Sequence, residues 1–384
     1  MTEADILAST YTDACTVYRP QKVEQPSGES VFKKGLEGQV VYKDIPCALS
    51  SPAGGKLSQS KTTASVDTDF SLFVRPEVDI QPGDTVAAMR LGKLLYEGGP
   101  YKVIVVKVPT NVESLSPWLK KLRDLKWNYL TVPGITDDEK TLVSAWIKEE
   151  REKDRKTFKA VLPECAADHE GIINLTTGNI QSTLGGEAFS TAEYCTRIAG
   201  VLAGLSLARS STYFVLSDIV GADVPDDPDE RIDKGELVIV FDSEKYKIGR
   251  GVNSLTTFTA EHGEEFSKIK IMEGVDLYQD DIRSTFEDAY VGKVINDYDN
   301  KQAFVAAIIA YQKSLEGNVL DRSFDNTAAV DIDQQRLYIE GKGIDTTDMS
   351  DIDIAKYNTG SKVFISSHVK FVDAMEDLSL VCNM

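Results

Sequence analysis

The chain is 384 residues long, 42% hydrophobic and 27% charged. That is too long for one core and ordinary in composition for a soluble globular protein, so two or three domains are expected. Its formal charge of −19 argues against a general electrostatic footprint for nucleic acid or an anionic membrane. Acidity of this degree serves solubility, and beyond that the contact with a basic partner surface.

No apolar run reaches the roughly 18 residues a membrane-spanning helix needs. The opening Met1-Thr2-Glu3-Ala4-Asp5 lacks a basic segment leading into an apolar one, so no secretory signal is expected. Cys15, Cys47, Cys165, Cys195 and Cys382 are odd in number, widely spaced and free of any CxxC pair. This fits a reducing compartment and small apolar core residues better than a disulfide framework or a zinc site.

Residues 1–98 carry 10 basic and 13 acidic residues, so −3 of the charge sits there and −16 beyond. Alternating runs such as Asp69-Phe70-Ser71-Leu72-Phe73-Val74 are punctuated by Pro76, Pro82-Gly83-Asp84 and Gly54-Gly55. They predict a small β-barrel or sandwich. The Ser-, Gly- and Lys-rich stretch 50–63 predicts a mobile loop.

From about residue 100 strand and helix patterns alternate. Val103-Ile104-Val105-Val106 predicts a strand buried on both faces. Trp118, Leu119, Leu122 and Leu125 give helical spacing over 116–125, and Tyr129-Leu130-Thr131-Val132 a strand stopped by Pro133-Gly134. Thr136-Asp137-Asp138-Glu139 is a capping box. It opens a helix with Leu142, Val143, Trp146 and Ile147 on one side and a solvated end at 148–156. Residues 158–162 follow as a strand, so a parallel or mixed sheet flanked by helices is expected.

A helix over about 191–208 contains Ala199-Gly200-Val201-Leu202-Ala203-Gly204, small residues that allow close packing. They lie inside a helical pattern, which disfavours a phosphate loop. The acidic, proline-broken run 223–230 reads as a solvated loop, not a helix or central strand; calcium is disfavoured because the Asp-x-Asp-x-Asp-Gly spacing is absent. Residues 237–241 resume the sheet and about 245–249 form a strand. Residues 276–294 read as one long helix with Leu277, Ile282, Phe286 and Tyr290 on one side, and 301–315 as another. Val363-Phe364-Ile365 with Val369-Lys370-Phe371 predicts a strand, and Leu378-Ser379-Leu380-Val381 a last one.

The fold class is therefore α+β or α/β and multidomain: a β-rich domain at 1–98, an α/β core at 99–245 and a part with long helices and terminal strands at 246–384. Catalytic candidates are few. The chain has 3 histidines. In Asp168-His169-Glu170 adjacent residues on a strand point to opposite faces, and neither it nor His262-Gly263-Glu264-Glu265 has a second histidine at ligand spacing. GxxxxGK[ST], HExxH and GxSxG are all missing. No catalytic, cofactor or metal site is expected, and an enzyme built on the α/β core is the least favoured reading.

Several segments together resemble the contractile tail sheath family of phages and R-type bacteriocins, of the clostridial type. They are Trp127-Asn128-Tyr129-Leu130, Lys159-Ala160-Val161-Leu162, Asp168-His169-Glu170-Gly171-Ile172-Ile173-Asn174 and the 199–204 run. Gly251-Val252-Asn253-Ser254-Leu255-Thr256, Asp281-Ile282-Arg283, Tyr290-Val291-Gly292-Lys293-Val294, Asn358-Thr359-Gly360-Ser361-Lys362-Val363 and Asp373-Ala374-Met375-Glu376-Asp377 continue the series. The resemblance spans about 100–384. It implies a subunit of stacked six-fold rings around an inner tube, with baseplate and collar partners, built in the bacterial host cytoplasm and residing in the virion tail or tail-like particle.

It also implies that strands are exchanged between subunits, through Val363, Phe364, Ile365, Val369, Phe371, Leu378, Leu380 and Val381. An ordinary internal hairpin is the alternative for these residues. Lys268 and Lys270 are candidates to face the tube. Residues 1–98 resemble a head-closure (head–tail connector) protein around Phe73-Val74-Arg75-Pro76 and Gly83-Asp84. A connector is therefore the competing function.

Overall fold

The computed structural model describes residues 103–109, 112–183, 188–260 and 262–382, together with the strand segments between 13 and 94 named below. The chain divides into two compact units, Met1–Gly99 and Pro100–Met384.

The first unit is all-antiparallel: β1 (Asp13–Arg19), β2 (Gln21–Glu24), β3 (Ser30–Lys33), β4 (Gln39–Ser50), β5 (Leu57–Ser60), β6 (Thr63–Val66), β7 (Ser71–Phe73), β8 (Thr85–Arg90) and β9 (Lys93–Leu94). Five strands run in the order β7-β4-β1-β8-β9, while β2–β3 and β5–β6 are separate pairs. Among the described residues this sheet is open, with no pairing that joins β7 to β9. Part of the expected mobile loop is instead the β5–β6 hairpin, Leu57 opposite Val66. Pro76, Pro82-Gly83-Asp84 and Gly54-Gly55 lie outside the described residues.

The second unit is built on a four-stranded parallel sheet, β10 (Tyr129–Leu130), β11 (Lys159–Pro163), β12 (Ile172–Leu175) and β15 (Glu236–Leu237). Every residue of β11 and β12 is buried, as expected of a parallel sheet covered on both sides. Alternation sorts their side chains. Ala160, Leu162 and Ile172 join Leu119, Val143 and Ile147 of α1 (Ser116–Arg123) and α2 (Asp137–Asp154). Val161, Ile173 and Leu175 join Ile198 and Leu202 of α3 (Thr191–Gly204) on the other face. α2 starts at the expected capping box, with Thr136 Oγ1 accepting from Glu139 N and the Glu139 carboxylate accepting from Thr136 N at 2.9 Å. Trp127 stacks on Phe158 with ring centroids 3.9 Å apart, closing the α2 side.

Two expectations fail here. Residues 103–106 form no ladder: Val103 is 70% and Val105 85% exposed, and only Val106 and Val108 turn toward the core. The acidic run is not all loop. β14 (Ile219–Asp223), paired with β13 (Gly178–Ser182), leads into α4 (Pro228–Asp233). Pro228 sits where a helix tolerates proline, Asp227 Oδ1 accepts from Glu230 N at 3.1 Å, and Asp229 and Glu230 oppose the helix dipole.

After β16 (Ile239–Phe241) and β17 (Tyr246–Ile248) come α5 (Ile269–Ala289) and α6 (Tyr298–Leu315), then β18 (Thr327–Val330), α7 (Ile332–Glu340), α8 (Asp351–Lys356) and β19 (Ile365–His368). α5 begins seven residues before the expected 276 and stops short of 294, because Ile269, Ile271 and Met272 are buried while 291–294 are exposed. Gly274 within it has a packing reason: a Cβ there would meet Val319 Cγ1 at 3.0 Å and Phe371 Cδ1 at 3.1 Å. Tyr278, Phe304, Ile308, Leu320 and Ala328 form the core of this part.

Candidate assembly interface

Two of the sequence motifs, 168–174 and 251–256, meet at one junction. Asp168, at a positive φ of 49°, leaves β11 and turns its carboxylate onto Gly251–Thr256 neighbours: Oδ1 accepts from Thr256 N at 2.7 Å and Thr257 N at 2.9 Å. These hydrogen bonds, led by those of Thr257, hold its pKa down at about 2. Ser254 Oγ donates to His169 O at 3.0 Å, and Ser254 N to Ile172 O at 2.8 Å. His169 is buried, its Nδ1 accepts from Gly171 N at 3.0 Å, and burial pushes its pKa down despite Glu170. Each member of Asp168-His169-Glu170 thus has a partner in the fold.

Glu170 leads to a buried charge network. Arg151 Nε donates to Glu170 Oε1 at 3.3 Å, and its two terminal nitrogens grip Asp276 of α5 at 3.0 and 3.2 Å. Lys159, 1% exposed within β11, donates to the same Asp276 and lies 3.0 Å from Glu273 Oε1. Tyr129 donates to Glu273 and Thr157 to Asp280. Burial opposes the charge on Lys159, but Asp276 and Glu273 more than offset it and its pKa is raised. This network ties α5 to the parallel sheet. Sequence reasoning missed it. The available signal was a lysine inside the apolar strand run 158–162, which a buried strand carries only with a carboxylate partner.

The segment after β19 is fastened stepwise to the body. Ile365 pairs with Val330 and His368 with Thr327. Asp321 N donates to Lys370 O at 2.8 Å, Phe371 bridges Leu320, and Val372 N donates to Val319 O at 3.0 Å. Lys270 Nζ donates to Val372 O at 2.6 Å and Asn318 O at 3.3 Å. Then Glu376, with its side chain 5% exposed, enters a socket: Ser210 Oγ donates to it at 2.9 Å, Lys268 Nζ at 2.8 Å, and Thr212 Oγ1 also donates. Burial opposes ionisation, but the Lys268, Thr212 and Ser210 hydrogen bonds hold its pKa below the usual value. Arg250 adds an ion pair to Asp377.

Gly251 shapes this socket. Its N donates to Thr212 Oγ1 at 2.9 Å, and a Cβ would lie 2.4 Å from Ser211 Oγ. Beside it opens a charged cleft of about 630 Å³, lined by Asp229, Asp233, Glu264, Arg250 and Lys268 among others. Past Asp377 the segment makes no hydrogen bond among the described residues; Leu378 is 88%, Leu380 75% and Val381 78% exposed.

The structure thus divides the residues expected at a subunit interface. Val363 and Phe364 are half-buried, and Phe364 packs its ring on Tyr338. Ile365, Val369 and Phe371 pack on the α5–α6 core. Leu378, Leu380 and Val381 are presented outward and form no strand within the chain, unlike the expectation. Lys270 is buried with its ammonium on backbone carbonyls, and Lys268 is committed to Glu376. His262 packs at a tilt on Phe266, ring centroids 5.1 Å apart.

Residues 110–254 match the family model of the phage tail sheath protein central domain, and 261–384 that of the phage tail sheath C-terminal domain. Over 288 residues, 74% of this chain, the sequence is 36% identical to a tail sheath protein of Clostridium phage phiCD119, covering 79% of that protein. The chain belongs to the phage tail sheath family.

Solved sheath tail proteins share the fold. The one from Desulfitobacterium hafniense superposes with a TM-score of 0.52 at 18% identity, covering 83% of this chain and 70% of that one. The one from Listeria innocua gives 0.52 at 19% identity, covering 84% and 70%. In this sheath protein the buried network joins the two matched domains: Arg151 and Lys159 belong to the central one, Glu273 and Asp276 to the other.

Proposed function

We propose that the protein is the repeating subunit of a contractile tail sheath, stacking as six-fold rings around an inner tube and shortening to drive the tube through a cell envelope. One observation carries the reading. In a chain of the sheath family, residues 378–382 project from the body with unbonded backbone and outward apolar side chains. Such a segment completes its hydrogen bonds by adding to a sheet edge of another copy, where backbone bonding supplies affinity and alternate side chains choose the partner. A heterologous contact of this kind propagates into open-ended stacks when it does not close on itself.

The role is structural. Asp168, His169, Glu170 and the buried ion pairs are all occupied in joining elements of the fold. The inner tube, the baseplate and a collar are the further partners, the tail is the place of action, and assembly occurs in the host cytoplasm. Contraction is a change between two packings of the same subunits.

Negative-stain electron microscopy of the concentrated full-length chain tests this. Hollow cylinders or stacked six-fold rings are expected. Discrete single rings of fixed subunit number would replace the sheath reading with a connector, and monomers at all concentrations would overturn both.

A further inference from the structure

We propose that the Glu376 socket fixes the register of assembly: it sets the residue at which the chain leaves its own subunit, and therefore which side chains of 378–382 face the sheet edge of a second copy. This rests on the assembly reading above and names the positioning residue within it.

The geometry is specific to one register. From 373 to 377 exposure alternates, with Asp373, Met375 and Asp377 outward and Ala374 and Glu376 inward, the period of an extended strand. With the same period continued, Leu378 and Leu380 share the Glu376 side and Ser379 and Val381 the other. A slip of one residue would reverse both sets.

A slip of two would put Ala374 or Leu378 in the socket. The Lys268 ammonium, 2.8 Å from Glu376, would then lose its buried carboxylate, and the Ser210 and Thr212 hydroxyls their acceptor. Unpaired buried charge is costly, whereas an apolar anchor would tolerate either neighbour, so a buried carboxylate selects position where a leucine would not. Arg250 checks the same register a second time through Asp377. The socket is closely packed: Ser210 and Ser211 are buried, and a Cβ on Gly251 would lie 2.4 Å from Ser211 Oγ.

The test uses the full chain and three variants: Glu376→Leu, Lys268→Met, and the double Glu376→Leu/Leu378→Glu, which moves the carboxylate two residues along. Hydrogen exchange of residues 370–377 is measured on the dispersed protein and polymer formation by electron microscopy. Tryptophan fluorescence checks folding, since Trp118, Trp127 and Trp146 are the only 3 tryptophans and all lie far from this segment in sequence.

Glu376→Leu and Lys268→Met should each raise exchange about tenfold or more, the effect of losing a charged hydrogen bond, and abolish regular cylinders. The double variant should regain slow exchange by docking its shifted carboxylate, yet still fail to form wild-type cylinders. Unchanged exchange in both single variants overturns the socket. Regular cylinders from the double variant overturn the register. If the wild-type chain forms no cylinders, the assembly reading fails and the register with it; cylinders from wild type and every variant refute the register alone.

Discussion

Replacing Lys159 by methionine removes the cation from a site that is 1% exposed and leaves Asp276 and Glu273, three residues apart on α5, without their shared partner. Breaking a buried ion pair by deleting one partner costs about 3–5 kcal/mol. The lower end applies, because Arg151 still grips Asp276 at 3.0 Å and Glu273, with its side chain 22% exposed, can turn to water. With a urea slope of about 3 kcal/mol/M, the unfolding midpoint should fall by about 1 M. Tryptophan fluorescence reads this unit selectively, since all 3 tryptophans lie between residues 118 and 146. The double variant Lys159→Met/Glu273→Gln, which leaves the Arg151–Asp276 pair intact and keeps an acceptor for Tyr129, should recover part of the loss, with a coupling of about 0.5–3 kcal/mol. A midpoint shift below about 0.3 M for Lys159→Met would refute the claim that this network is desolvated and ties the helix to the sheet.

Three further outcomes follow from the same geometry. Asp168 titrates at about 2 in the folded chain, below its ordinary 3.8, so its contribution is complete above about pH 4 and fades as pH falls toward 2. The thermal midpoint of wild type minus Asp168→Asn should therefore shrink across that window, modestly because the group is largely exposed; a constant difference would discard the assigned hydrogen bonds. Burial pushes the Cys195 thiol up to about 12, while Cys382 is exposed, so a thiol reagent at pH 8 should label Cys382 at once and Cys195 only on unfolding. Gly251→Ala, whose Cβ would lie 2.4 Å from Ser211 Oγ and 3.3 Å from Thr212 N, should cost about 1–3 kcal/mol by overpacking, seen as a lower thermal midpoint; an unchanged midpoint would mean the socket yields freely.

Local chemistry was legible in the sequence wherever one residue serves its neighbours. The Thr136–Glu139 capping box and the strand expected at 158–162 fall where pattern places them, because hydrogen bonding over three residues and alternation over two are encoded locally. Residues 103–106 show the limit. A β-branched run states a preference for extended backbone, but a strand needs an edge to pair with, and among the described residues none meets it. The same holds for Leu378–Val381.

The acidic run differs for the opposite reason: a proline inside a run reads as a breaker, yet Pro228 stands at the first position of a helix, where it is tolerated. The junction itself was visible only as separate motifs. That Asp168 receives Thr256, and that Lys159 answers Asp276 across 117 residues, is set by topology.

The stepwise fastening of residues 365–377 also makes a load path. Any tension applied at Leu378 by a neighbour reaches the Arg250–Asp377 pair first, then the Glu376 socket, then the Lys270 and Val319 bonds to Val372, and only afterwards the β18–β19 ladder. The outermost link, Arg250–Asp377, is an exposed ion pair that tolerates changes of angle, whereas the Glu376 socket behind it is buried and holds its register. The inner ones are backbone bonds against a packed aromatic core, with Phe371 against Gly274. Force is thus graded from compliant to stiff along a dozen residues and delivered to α5, which the Arg151 and Lys159 bonds couple to the parallel sheet. In the assembly proposed above, a pull by a neighbouring copy would thus reach the parallel sheet through α5.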